Sequence, residues 1–419
     1  MGLKSLLAGD LGRYFAALLG SAGSSGAQFL LTLVLLKGLA AEQFGQFTFL
    51  WLVAQFIWAL GGALFSAPLA RIVSQNPAVK DPAIAQATTW MQLCFGVASM
   101  IGGYALASGA GQGSASSLAY ATLVLVGGLR LYGRVASYAH AQQKAVVTSD
   151  GLFTICVLVL TAMLYFVKAP GVAVAYLILG AGNLIGVIAL FRSYGFGMRF
   201  PGVGPLLQNY RHVWSRYSSW SLLGVIATEI TANAHSYIVT FVLGPAAFGP
   251  IAASSVLIRP AVVGLNALSE FERARMARIT GSDQQSRLRR ARQLFRAAAF
   301  AFWVVTAVCT YGVLTYASER MFGPGYAQNA LLVGAWLWTA LLLIRVLYLP
   351  ETTEMQSHGA FAELAWPRIW SAPFSICGVI LLLQVAQPVW SLVAICLGEL
   401  ISGILLLGAH RKVSKRFTT

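Results

Sequence analysis

Negative charge is scarce in this sequence. Its 419 residues include 13 Asp and Glu, and all charged residues together make up 10%, where soluble domains carry roughly 25%. So few charges cannot clothe a surface that faces water. Polar stretches are short too, which leaves no room for an extramembrane catalytic domain. Cysteine is sparse: Cys94, Cys156, Cys309, Cys377 and Cys396 all fall inside apolar runs, so they define no disulfide framework and no redox compartment. None of them stands at metal-ligand spacing from a histidine, and His235 and His358 have no partner at such spacing either. No metal or cofactor is expected.

What is abundant is hydrophobicity, at 58% of residues. A helix crossing a bilayer needs roughly 20 apolar residues. The sequence offers about twelve such runs: 14–36, 47–68, 88–108, 117–138, 151–167, 171–191, 218–243, 250–270, 297–316, 328–349, 368–385 and 389–409. They are too long and too uniformly apolar for the alternating strands of an outer-membrane barrel. The expectation is an all-α polytopic membrane protein. No small-residue cleavage site follows a short apolar core at the start, so the first span is expected to be retained.

The net charge of +16 raises the question of nucleic acid. Placement of the cations answers it. With an even number of spans and a cytoplasmic N-terminus, one side holds Lys4, Arg13, Arg71, Lys80, Lys144, Arg192, Arg199, Arg211, Arg216, the run from Arg273 to Arg296, and Lys412, while the other keeps Lys37, Lys168 and Arg320. That asymmetry is the positive-inside rule, so both termini are expected in the cytoplasm and no nucleic-acid partner is implied. The most basic loop, "ERARMARITGSDQQSRLRRARQLFR", reads as a topology determinant and helix pair, with contact to anionic head groups as the rival reading.

The sequence also repeats itself. Ser21, Ser25, Gln28 and Thr32 share one helix face in the first span, and Glu229, Asn233, Ser236 and Thr240 repeat them in the seventh at a constant offset of 208 (229−21). Phe44-Gly45 recurs as Phe248-Gly249, 204 residues on. Arg130 in "LRLY" matches Arg345 in "IRVLY" (345−130 = 215), and "GNLIG" at Gly182 to Gly186 matches "GELIS" at Gly398 to Ser402, which sets Asn183 opposite Glu399 (399−183 = 216). Six spans per repeat makes the repeat parallel, with a pseudo-two-fold along the membrane normal. The expected lobes are 1–191 and 217–419, the latter with a basic tail, joined by a cytoplasmic linker at 192–216.

Arginines inside spans demand explanation, because a charge at the bilayer centre costs at least a few kcal/mol. Arg130 and Arg134 lie at i and i+4, on one face. Arg259 is about nine residues from either end of its span, roughly 13 Å deep at 1.5 Å per residue. Arg345 and Arg134 lie about one turn from their cytoplasmic ends, within reach of snorkelling. A planar guanidinium suits phosphate and carboxylate, so the four are expected to face a shared lumen, Arg130 opposite Arg345, and to bind an anionic substrate. The competing reading pairs them with Glu229, Glu399, Glu351 or Glu354 in fixed salt bridges. Carboxyls in low-dielectric surroundings can load and release protons near neutral pH, which makes Glu229 and Glu399 candidates for coupling to a proton or Na⁺ gradient. Ser25, Gln28, Asn233 and Ser236 complete the polar lumen stripe.

Other features read as structure. Gly61-Gly62, Gly102-Gly103 and Gly127-Gly128 permit close helix approach, Pro260 is expected to kink the eighth span beside Arg259, and Trp51, Tyr138, Trp366 and Trp370 suit an interfacial belt.

Three stretches together, "VLLKGLAAEQFGQFTFLWLV" (Val34 to Val53), "VTFVLGPAAFGPIAASSVL" (Val239 to Leu257) and "MFGPGYAQNALLV" (Met321 to Val333), resemble the polysaccharide transporters of the multidrug/oligosaccharidyl-lipid/polysaccharide exporter superfamily, the O-antigen and capsule repeat-unit flippases. "YAHAQQKAVVTSDGLFTI" (Tyr138 to Ile155) is similar to their connection between the fourth and fifth spans. Pro250 after "FG" and the segment "PETTEMQSHG" depart from the family pattern. The resemblance implies two six-helix lobes alternating access around a cationic cavity in a bacterial inner membrane. The cargo it implies is an oligosaccharide on undecaprenyl pyrophosphate, with other polysaccharide-assembly membrane proteins as companions. A cation-coupled drug or metabolite exporter of the same superfamily is the nearest rival, and favours a mid-span acid in the first lobe. A polymerase or ligase, the distant rival, needs long outward loops carrying catalytic groups, and those here are about ten residues or fewer.

Overall fold

The computed structural model describes residues 3–75, 82–140, 142–168, 170–194, 200–277, 279, 284–322, 325–358 and 360–416. Lys80, Arg199 and the tip of the basic loop at 280–283 lie outside the described residues, as does the side chain of Ser21. Among the described residues every regular element is helical. In chain order they are α1 (Leu3–Gly38), α2 (Ala41–Gly61), α3 (Ala67–Gln75), α4 (Pro82–Gly109), α5 (Ser114–Ala139), α6 (Gln143–Val167), α7 (Val172–Tyr194) and α8 (Val203–Val213). They continue with α9 (Ser219–Leu243), α10 (Pro245–Ser255), α11 (Arg259–Ala277), α12 (Gln284–Tyr316), α13 (Ser318–Met321), α14 (Gln328–Ser357), α15 (Phe361–Val385) and α16 (Ser391–Arg416).

Ten helical paths among the described residues are long and apolar enough to cross a membrane, α2 with α3 and α10 with α11 each counting as one. α1, of 36 residues, and α9, of 25, are also of bilayer length, which makes twelve such helical paths among the described residues. Apolar residues occupy every face of α2, α6 and α7, as they do in helices enclosed by lipid and other helices. The protein is an all-α polytopic membrane protein.

The chain folds as two compact units: Met1–Gly38 with Leu50–Ile226, and Leu39–Phe49 with Ala227–Thr419. Each contains the same helix pairings. In the first unit α4 packs on α5, and α5 and α6 on α7; in the second α12 packs on α14, and α14 and α15 on α16. These are the pairs that the sequence repeat relates.

Within the stretch 192–216, expected as a linker, Val203–Val213 form α8, and the chain changes unit within α9, between Ile226 and Ala227. The reason is amphipathicity. Leu206, Tyr210 and Val213 recur at i, i+4 and i+7, and the last two join Phe65, Leu69, Tyr132 and Ala136 in one buried cluster.

The start of α2 belongs to the second unit because of two glycines. A Cβ on Gly45 would meet the backbone nitrogen of Gly249 at 2.9 Å, and a Cβ on Gly249 would meet the backbone carbon of Ala41 at 2.8 Å. The repeat-related pair thus crosses backbone to backbone, which only glycine permits. Phe49 then inserts between Tyr237 and Phe241 of α9, edge to face at 6.1 and 5.7 Å.

Two spans are interrupted, each for a local reason. Pro260 has no N–H to offer the Val256 carbonyl, so Arg259 N–H bonds it instead, closing a 3₁₀ turn over Val256–Ile258 between α10 and α11. Between α2 and α3, Gly62–Ser66 forms a π turn, in which Ala67 N–H reaches the Gly62 carbonyl. A second π turn, Trp214–Ser218, leads into α9. The hydroxyls of Ser218 and Tyr210 both donate to the Leu64 carbonyl, at 2.7 and 3.3 Å, so α8 and the turn after it clasp the π turn of the second span.

Of the four residues assigned to an interfacial belt, Trp366 and Trp370 are 59% and 64% exposed. Trp51 is instead in the core, its ring 5.3 Å from that of Trp58, because α2 begins ten residues before it and carries it below the helix end.

Candidate functional site

In the first unit α5, α6 and α7 converge on one carboxylate, that of Asp150. Arg130 Nη2 donates to its Oδ1 at 2.6 Å and Arg134 Nη2 to its Oδ2 at 2.9 Å. Spacing i, i+4 on α5 is what lets both guanidiniums reach the same group. Arg130 also donates from Nη1 to Asn183 Oδ1 at 3.5 Å and from Nε to Ser149 Oγ at 3.4 Å. Its guanidinium carbon lies 4.0 Å over the Phe153 ring. Gly186 of α7 makes room for it: a Cβ there would stand 2.7 Å from Arg130 Cδ. α1 closes the other side, with the Cβ position at Gly20 only 3.2 Å from that of Asp150.

Arg130, expected to face an open lumen and a travelling anion, has a protein carboxylate as its partner. It is 4% exposed, its carboxylate partner is 1% exposed, and the two form a fixed interior pair. Arg134, with 21% of its side chain exposed, is the open member. Asp150 escaped sequence reasoning because the apolar run was started at residue 151, whereas α6 begins at Gln143 and carries Asp150 inside the helix.

The second unit repeats the design with different groups. Arg345 of α14 donates from Nε to Glu399 Oε1 of α16 at 2.7 Å, and Tyr348 adds its hydroxyl to the same oxygen at 2.7 Å. Arg345 is 35% exposed and Glu399 9%. Arg130 with Asn183 and Arg345 with Glu399 are thus equivalent pairs, and the fixed salt bridge weighed for Arg345 from sequence is present. Glu351 and Glu354 take other partners: Arg296 pairs with Glu351, Arg292 reaches Glu354 at 2.8 Å, and His410 lies 3.2 Å from Glu354.

The remaining candidates distribute along α1, α9 and α11. Arg259 opens α11, half-buried, directly after the 3₁₀ turn. Glu229 is half-buried and accepts from the Tyr237 hydroxyl at 2.6 Å. Asn233, Ser25 and Gln28 are half-buried as well, while Thr32 is buried and returns its hydroxyl to the Gln28 carbonyl at 2.8 Å. Ser236 is buried beside His235, whose Nε2 lies 3.1 Å from its Oγ. In α1 the face that packs deepest runs through Ser24, Ala27 and Leu31, next to the polar stripe rather than on it. Ser24 meets Thr154 of α6 at 3.4 Å. Among the described residues no group of three metal-binding side chains is assembled.

No protein-family model matches the chain, and no curated protein matches it. Solved structures do. An inward-facing multidrug resistance MATE family transporter of the MOP superfamily superposes with TM-score 0.71 at 13% identity, covering 94% of this chain and 96% of that one. An outward-facing structure described in the same words gives 0.64 at 13% identity, over 97% and 96% of the two chains. A MOP superfamily transporter from Pyrococcus furiosus, described as having a binding pocket of reverse polarity, gives 0.61 at 12% identity over 96% and 95%. At such identities the likeness concerns architecture, and over nearly its whole length this chain has the fold of the MATE transporters of the MOP superfamily.

Proposed function

We propose that this protein is a secondary transporter that moves an anionic lipid-linked oligosaccharide across a membrane by alternating access. The fold supports the transport class, since it is similar to structures described in both inward- and outward-facing states. One observation carries the choice of cargo: in the first unit two guanidiniums share a single carboxylate. Arg130 and Arg134 both bond Asp150, whereas Arg345 pairs with Glu399. The first cluster has one more cation than carboxylate, and Arg134, the more exposed of its two arginines, is the natural contact for a pyrophosphate, as the 35% exposed Arg345 is in the second unit. Arg134 and Arg345 take that role, with Arg259 at the break of its span as the third candidate. Arg130 holds Asp150 in place.

The same charge arithmetic divides the coupling carboxylates. Protonating Glu399 would strip Arg345 of its counter-charge, whereas the partner of Glu229 is a neutral hydroxyl. Glu229 is therefore the better candidate for exchanging a proton or cation. A drug exporter is the second reading, favoured by the description of two similar structures as multidrug resistance transporters and by a buried acid in the first unit. Asp150 is already committed to two guanidiniums, which leaves it no charge to offer a cationic drug.

The test is flipping of a labelled undecaprenyl-pyrophosphate oligosaccharide in proteoliposomes, with and without a pH gradient. Arg134→Gln and Arg345→Gln should each lower the rate roughly tenfold, the loss of one charge-assisted hydrogen bond. Wild-type flipping by the double variant would exclude the anionic cargo, and an unchanged gradient response in Glu229→Gln would exclude Glu229 as the coupling group.

A further inference from the structure

α8 is short and amphipathic, and it carries three faces. Leu206, Tyr210 and Val213 are buried against the bundle. A second face, at i, i+4, i+8 and i+11, presents Val203, Leu207, Arg211 and Trp214, all exposed, the apolar three at 62%, 54% and 41%. Gly204, Gln208 and His212 make up the polar remainder, and all three are exposed. Phe200, 53% exposed, stands just before the helix, its ring 5.1 Å from Trp90.

A soluble surface does not place Phe, Val, Leu and Trp side by side in the open, whereas a helix lying at the bilayer boundary does. The charge is one-sided. Between residues 192 and 216 the sequence has Arg192, Arg199, Arg211 and Arg216 and not a single Asp or Glu. Arg211 and Arg216 are exposed and have no carboxylate partner among the described residues. Arg216 and Arg71 both lean on the Tyr217 ring, at 6.0 and 5.6 Å, which gathers a further cation beside the patch.

We infer that α8 is a docking surface for anionic phospholipid. Val203, Leu207 and Trp214 enter the boundary between head groups and acyl chains of the bilayer that the chain spans, and Arg211 and Arg216 bind the phosphates above them. Lipid is the occupant because three exposed apolar side chains and the cation Arg211 share one helix edge, with the exposed Arg216 just beyond it, as a planar interface requires. A free phosphate would have no use for the three apolar side chains. The core face and the two hydroxyls on Leu64 hold the helix in this position, so the lipid contact bears on the π turn of the second span.

Trp214 supplies the probe. The full-length protein is reconstituted in phosphatidylcholine vesicles containing brominated phosphatidylglycerol or brominated phosphatidylcholine at equal mole fraction. The Trp214 signal is taken as wild type minus Trp214→Phe. Quenching should be stronger with the anionic brominated lipid, reflecting an enrichment of up to roughly fivefold per cation. The Arg211→Gln/Arg216→Gln variant, which retains Trp214 and replaces two exposed residues, should quench equally with both lipids. Equal quenching in the wild type, or a preference that survives in the arginine variant, overturns the anionic site. Absence of quenching by either lipid overturns the membrane position itself. The readout is location rather than transport, so it stands or falls apart from the cargo.

Discussion

Arg130 and Arg134 hold opposite oxygens of a single carboxylate, Oδ1 and Oδ2 of Asp150, at 2.6 and 2.9 Å. One buried acid thus holds two cations that successive turns of α5 deliver to it, and one positive charge is left over. Removing any member of such a group has unequal consequences, because what remains must still be compensated.

Asp150→Asn should be the most damaging change in the first unit. It leaves Arg130, 4% exposed, without its counter-charge, and breaking a buried pair from one side costs about 3–5 kcal/mol. Arg134→Gln should cost far less, since Arg130 keeps Asp150. Thermal unfolding in detergent checks the order, and equal losses would show that the three do not form a fixed group.

Glu399→Gln should tighten binding of a pyrophosphate-headed substrate. In the wild type Glu399 and the cargo compete for Arg345, whose Nε already bonds Oε1. Weakening that bond should lower the apparent Kd roughly tenfold. Titration calorimetry with a soluble lipid pyrophosphate analogue reads it. Weaker binding would place Arg345 in a purely structural role.

Gly186→Ala should disturb Arg130 without altering charge. The new methyl would stand 2.6 Å from Arg130 Nε and 2.9 Å from Ser149 Oγ, and overpacking of this kind costs about 1–3 kcal/mol. In a double-mutant cycle with Arg130→Ala, Gly186→Ala should cost far less than in the wild type, because the clashing Cδ and Nε are gone.

Tyr210→Phe and Ser218→Ala should be strongly non-additive. Both hydroxyls serve the Leu64 carbonyl in the π turn. Either alone satisfies it, so each single change should cost no more than about 1 kcal/mol, and the pair about 1–3 more as the carbonyl is left unmet. Hydrogen exchange at residues 62–67 offers a local readout of the same effect.

The repeat is where the sequence told most. Its offsets paired Arg130 with Arg345 and Asn183 with Glu399, and the structure brings each arginine to the matching residue of the sixth or twelfth span. Pro260 announced the break at Val256–Ile258, because a missing N–H is a local fact. The π turn at Gly62–Ser66 gave no such notice, since its partner hydroxyls come from Tyr210 and Ser218, some 150 residues away.

Composition by itself determined that the chain is a bundle of membrane-crossing helices, because the energy of apolar surface depends on residue type and run length alone. It determined where the cations sit along those helices for the same reason. Which cations are compensated was decided only in the folded chain. Asp150 lies 16 residues from Arg134 in sequence and 2.9 Å from it in space. An ion pair depends on distance and burial, and both are set by how α5, α6 and α7 pack.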